Sequence, residues 1–89
     1  MQAIITTTGR DQIGIIAAVS AAAAEHNLNV LDVTQTLMDD FFTMVMRVNI
    51  PGDPVDMGEL QEHLARAGEP LGVVVRIQSA DLFTAMNEI

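Results

Sequence analysis

Thr6-Thr7-Thr8-Gly9-Arg10-Asp11-Gln12-Ile13-Gly14-Ile15-Ile16, then an alanine-rich run, then Asn27-Leu28-Asn29-Val30-Leu31-Asp32-Val33-Thr34-Gln35, is the stretch whose reading decides the fold. It reads as strand, tight polar loop, helix and second strand. Ala3 to Thr8 is β-branched and stops at Gly9, as a strand does. Asp11 is placed to N-cap a helix, since its carboxylate can accept orphan N–H groups of a first turn. Gly14 then falls inside that turn, where glycine costs about 0.5–1 kcal/mol relative to alanine. Two reasons would justify it. A ligand or another backbone comes close to bare N–H groups at a positive helix end, or the strand and helix pack tightly. The residues alone leave both open.

Working outward, the helix is expected over residues 12–26. Ile13, Ile16, Ala17, Ser20 and Ala24 share one stripe, with Val19 and Ala23 beside it. His26 suits the negative end of the helix, and Asn27 suits a left-handed cap. Neither a carboxylate nor a second histidine lies at ligand spacing from His26, so no metal is expected there. In the following strand Val30 and Val33 are three apart, which breaks alternation. A bulge near Leu31-Asp32 would put both on one face; without it, Leu31 and Val33 share a face and Val30 takes the other. Asp39-Asp40 reads as a hairpin turn.

Phe41 to Ile50 alternates cleanly, with Phe42, Met44, Met46, Val48 and Ile50 on one face. Arg47, on the other face, reads as a solvated strand arginine. Asp53 as cap and Pro54 at the first position open a second helix, with Met57, Leu60, Leu64 and Ala67 as its apolar stripe and Gly68 as its end. Glu62 and Arg66 make an i,i+4 pair. His63 has no partner at catalytic spacing and reads as a surface residue. Leu71 to Gln78 is the last strand, with Val73, Val75 and Ile77 inward. Ser79 then caps a tail helix whose Leu82, Phe83, Met86 and Ile89 must dock on this domain or on a second copy.

The order is β-α-β-β-α-β plus a tail, an α+β fold. Right-handed crossovers place two helices on one face of a four-stranded antiparallel sheet, the ferredoxin-like arrangement, with the second and fourth strands at the edges. The chain reads as one domain over residues 1–89, with a core at 2–78 and a tail helix at 79–89.

Composition narrows the function. The 89 residues carry a net charge of −8, four arginines and no lysine, cysteine, tryptophan or tyrosine. Nucleic acid needs a basic face, which is not expected here. The longest uncharged run, Gln12 to Ala24, falls short of the ~20 apolar residues that span a bilayer. Without cysteine there is no disulfide, thiol catalysis or cysteine-held metal. The expectation is a cytoplasmic protein with no cofactor, no metal and no catalytic residues. Ser20 and Ser79 lack a nearby histidine in this layout, and the acids of the second helix read as solvated, so the chain is not read as an enzyme.

Gly9-Arg10-Asp11-Gln12-Ile13-Gly14-Ile15-Ile16 after a strand, with Asn29-Val30 opening the next, resembles the ACT domain, a small regulatory module that commonly binds amino acids. The resemblance covers residue 2 to about 78. It extends to small stand-alone ACT proteins through Asn29, Asp32, Gln35 and Thr36 and through Ile77-Gln78-Ser79-Ala80, Phe83 and Met86. The ACT repeats of the glycine-cleavage transcriptional repressor are also similar. The resemblance implies a ligand site at Asp11, the backbone around Ile13, Gly14 and Ile15, and Asn29, Val30 and Asp32. Many ACT domains place proline where Ile13 stands, so this loop is less pre-set.

Within one chain, Asp11 and Asn29 should lie at opposite ends of the sheet. They can serve one ligand only if Asn29 comes from another chain. The second strand is an edge without lysine or proline to blunt it. The expectation is a two-fold homodimer paired through that strand, with two inter-chain sites for a free amino acid and any output passing through a protein partner. The other reading is a dimerisation or interaction module that binds no small ligand.

Overall fold

The computed structural model describes residues 1–52 and 54–87. The elements are β1 (Gln2–Arg10), α1 (Ile15–Glu25), β2 (Asn29–Met38), β3 (Phe41–Asn49), α2 (Met57–Gly68), a 3₁₀ turn (Glu69–Leu71), β4 (Val74–Ser79) and α3 (Ala80–Asn87). The strands form one antiparallel sheet in the order β2-β3-β1-β4. This is the ferredoxin-like arrangement, with β1 and β3 central.

Alternation builds the core. Ala3, Ile5 and Thr7 of β1 point to the helix side with Phe42, Met44, Met46 and Val48 of β3 and Val75 and Ile77 of β4, all buried. Against them pack Ile15, Val19, Ala22 and Ala23 of α1 and Leu60 and Leu64 of α2. Gly68 lets α2 approach β4, because a Cβ there would lie 2.8 Å from both the Val73 carbonyl oxygen and Val75 Cγ2.

Several expectations are corrected. The first helix starts at Ile15, not Gln12, and Gly14 is its N-cap, with φ 99° and no side-chain cap bond. Asp11 instead lies in the preceding turn, its N–H donating to the Asp40 carbonyl at 2.7 Å. The buried stripe is Ile15, Val19, Ala22 and Ala23 rather than the one through Ile13 and Ile16. The shifted start rotates Ile15 inward and leaves Ile13 97% exposed. The second helix starts at Met57 with Asp56 as its cap, the carboxylate accepting from the Glu59 N–H at 3.0 Å. The cap expected at Asp53 falls outside the described residues. After α2 the chain turns through Glu69–Leu71, so β4 begins at Val74 and the left-handed glycine is Gly72, φ 68°.

The tail docks on its own sheet. Ser79 Oγ accepts from the Leu82 N–H at 3.1 Å, starting α3 as expected. Gln78, on the face opposite α1 and α2, donates to Met86 Sδ at 3.7 Å. Ile4 shares that face and register with Gln78, and it is buried where α3 lies against β1 and β4.

Thr7 is fully buried and its hydroxyl has no hydrogen-bond partner among the described residues. A buried orphan hydroxyl costs about 1–3 kcal/mol. Thr7→Val keeps the branched shape and removes the polar atom. It is expected to stabilise the fold by about 1–2 kcal/mol, raising the melting temperature by ~4 °C or more for a domain of this size. A lower melting temperature would contradict the orphaned state.

The two sheet edges differ. At β4, the Gln61 side chain donates to the Val75 carbonyl at 3.0 Å and accepts from the Ile77 N–H at 2.9 Å. One α2 amide thus occupies both kinds of backbone group on that edge. Among the described residues β2 has no such cover, and all ten of its residues are exposed.

Candidate functional site

The loop from Asp11 to Gly14 is tied down on both sides. The Asp11 N–H bonds to the β2–β3 hairpin through Asp40, and the Gln12 side-chain amide donates to the Leu71 carbonyl. Arg10 Nε lies 3.5 Å from an Asp40 carboxylate oxygen. Between these anchors the α1 N-terminus is left bare. Gly14 caps it without a side chain, no acid stands in the first turn, and the first intrahelical bond runs from the Ala18 N–H to the Gly14 carbonyl. A Cβ at Gly14 would meet nothing within 4 Å. Glycine is therefore required by its left-handed φ, not by close packing, and it brings no side-chain cap to the N–H groups of the first turn.

Beside this loop lies a cavity of about 450 Å³ lined by Asp11, Ile16, Gln35, Thr36, Leu37 and Phe42. The register shows how β2 builds it. Pairing with β3 slips between Val30 and Asp32, so Leu31 is the bulged residue. Past the bulge, Val33, Gln35 and Leu37 stand opposite Met46, Met44 and Phe42 on the helix side. Val30 and Val33 therefore share a face, as the bulge reading requires. Both remain exposed, because α1 does not cover this edge of the sheet.

The seven residues implicated by resemblance do not meet in one chain. Asp11 lines the cavity, Gly14 caps α1 beside it, and Ile13 projects into solvent. The Ile15 side chain belongs to the core, which leaves only its backbone to a ligand. Asn29 pairs with Asn49, as Gln2 does, at the far end of the sheet from the Arg10–Phe41 pair. Nine residue steps along β2, at ~3.3 Å each, separate Asn29 from Met38 by about 30 Å. Val30 is beside Asn29. Asp32 lies on the opposite face from Val30 and its carboxylate is 3.7 Å from Arg47 Nη2.

Ile16, Gln35, Thr36, Leu37 and Phe42 also line the cavity and were not among the expected site residues. The available signal was the broken alternation at Val30 and Val33. Once the bulge is accepted, Gln35 becomes a lone amide between Val33 and Leu37 on an apolar face. Among the described residues neither the Gln35 amide nor the Asp11 carboxylate has a hydrogen-bond partner.

A second polar cluster lies at the other end of α1. His63, expected at the surface, is half-buried: its Nδ1 meets His26 Nε2 and its Nε2 is 2.9 Å from a Glu25 oxygen. The adjoining hollow of about 320 Å³ also has Glu62 and Arg66 on its wall, and these pair with each other. Most of these groups already satisfy one another, whereas the first cavity keeps its carboxylate and amide free. Among the described residues no set of three His, Cys, Asp or Glu side chains is positioned to hold a metal ion. No helix among them is long and apolar enough to cross a membrane.

Comparison with known proteins places this geometry in context. The family model described as the ACT domain matches residues 1–78. The UPF0237 protein of Corynebacterium glutamicum is 47% identical over 89 residues, covering 100% of both chains. Its counterpart in Methanopyrus kandleri is 43% identical over 88 residues, 99% of this chain and 98% of the relative. Among solved structures, an ACT domain protein from Streptococcus pneumoniae superposes with a TM-score of 0.82 at 41% identity, covering 93% of each chain. The regulatory subunit of aspartate kinase from Thermus thermophilus gives 0.67 at 26% identity, over 86% of this chain and 50% of that one.

Proposed function

This chain belongs to the ACT domain family, and from that premise we propose that it is a regulatory module binding a free amino acid at the seam of a homodimer paired through β2. The observation that carries the reading is the cavity beside the Asp11–Gly14 loop, where an unpartnered carboxylate and an uncapped helix N-terminus adjoin an apolar wall. These are the groups an α-amino acid requires. Its ammonium needs an acceptor, which Asp11 supplies. Its carboxylate needs donors, which the first N–H groups of α1 supply.

The seam completes the site. β2 is the edge without cover, and its helix-side residues Val30, Val33 and Leu37 are half-exposed apolar surface. Antiparallel pairing with a two-fold mate runs the mate's Asn29 and Val30 toward this chain's Met38 and Asp11. Asn29 can then donate and accept through its amide. Asp32 faces away from this cavity and acts on the strand through Arg47. An effect on metabolism passes from the dimer to a protein partner, since binding alone changes no bond.

Thermal unfolding against a panel of free amino acids, with solution mass measured in the same buffers, tests this. At ~100 times Kd a ligand adds about 2.7 kcal/mol per independent site, a rise of roughly ten degrees in a domain this small. The rise should vanish in Asp11→Ala and in Asn29→Ala while the dimer persists. A stable dimer with no rise for any amino acid would favour the second reading, an interaction module. The projecting Ile13 and the exposed Leu82 and Met86 of α3 speak for that alternative.

A further inference from the structure

The wall of the Asp11 cavity carries information about which amino acid it takes. This inference rests on the reading of the cavity as an amino-acid site and adds the chemistry of the ligand's side chain. Three of the six lining residues, Ile16, Leu37 and Phe42, are apolar, and Asp11 is the one charged residue among them. Among the described residues no arginine or histidine lines the cavity, so a ligand carboxylate side chain would have no counter-charge beside Asp11 in a chain of net charge −8. A ligand with a second ammonium would place it against Ile16, Leu37 and Phe42, since Asp11 is taken by the first. The side chain is therefore uncharged.

Gln35 narrows it further. It stands on the helix side of β2 opposite Met44, between Val33 and Leu37, and its amide has no partner among the described residues. Closing the seam with a second copy would move that amide away from water. An amide left unpaired there disfavours binding, whereas a ligand hydroxyl or amide satisfies it. A site built around a buried hydrogen-bonding group rejects analogues that lack the matching group. A cavity of about 450 Å³ is ample for such a molecule. We infer that the cavity selects an amino acid with a hydroxyl or carboxamide side chain, and that Gln35 is the residue that reads it.

Calorimetry on the full chain tests this with serine, threonine, asparagine and glutamine against valine, leucine, aspartate, glutamate and lysine. The expected result is at least tenfold tighter binding of one or more of the first four than of any of the other five. Gln35→Leu should lose tenfold or more for that ligand and gain for valine or leucine. Gln35→Glu, which keeps the shape, should lose a comparable factor and covers the case in which the leucine variant does not fold. Tightest binding of an aliphatic or charged amino acid, lost in Asp11→Ala, would overturn the selectivity and leave the site standing. An unchanged order of affinities in both Gln35 variants would do the same. Binding of none of the nine would overturn the site and the selectivity together.

Discussion

A chain carrying Val33→Asp is expected to sediment as a monomer at concentrations where the unaltered chain sediments as a dimer. Val33 lies mid-way along β2, opposite Met46 on the helix side, and it is 47% exposed in the single chain. In the proposed two-fold pairing each Val33 would bury its remaining surface, about 1 kcal/mol per copy from the ~1.5–3 kcal/mol of a full valine burial. The substitution removes this twice and puts two like charges near the axis, in a partly desolvated seam. A combined loss of about 4 kcal/mol or more corresponds to roughly a thousandfold weaker dimer. Val74→Asp is the matched control. Val74 is 52% exposed on the opposite edge strand, where Gln61 already bonds to Val75 and Ile77, and the dimer should survive. An unaltered chain that is monomeric at every concentration tested would remove the inter-chain site altogether. A dimer lost in Val74→Asp and kept in Val33→Asp would move the interface to the other edge.

How much of the fold is legible in the sequence follows from how local each contact is. The alternation of Phe42, Met44, Met46, Val48 and Ile50 was legible because every second residue is large and apolar, and all five are buried. The register slip at Leu31 was legible as a conflict between Val30 and Val33. Gln61 was not, because its two bonds to β4 span 14 and 16 residues and leave no local trace. The contact between His26 and His63, 37 residues apart, is of the same kind.

The face of α1 was misread for a different reason. Six alanines between residues 17 and 24 pack on any side, so the inward direction depends on whether Ile15 or Ile16 leads. That depends in turn on where Gly14 turns the chain. A glycine demanded by φ and one demanded by contact look identical in a sequence. The second helix, expected to open at Pro54, begins at Met57, where the Asp56 carboxylate caps it. In the candidate site, Asp11 and Gly14 are marked by the loop pattern. Gln35 was hidden until the bulge decided which way it faced.

Leu64→Ala is expected to destabilise the fold by about 2–5 kcal/mol. Leu64 has no exposed surface and sits mid-way along α2, between Leu60 and Gly68 on the one stripe that faces the sheet. Its surroundings cannot collapse to fill the space. On one side Gly68 already holds α2 against β4, with Val73 and Val75 at the closest approach. On the other side α1 packs against α2, with Ile15, Val19, Ala22 and Ala23 buried. The loss is large against a total stability of roughly 5–13 kcal/mol, at about 0.05–0.15 kcal/mol per residue. It should lower the melting temperature by ~10 °C or more, measured by circular dichroism at fixed protein concentration. Leu82→Ala on α3 gives the contrast. Leu82 is half-exposed, and its removal should shift stability by only about 0.5 kcal/mol. Equal effects at the two sites would mean that α3 is as firmly built into the fold as α2. A small effect at Leu64 would mean that the residues around the α2 stripe repack into the space.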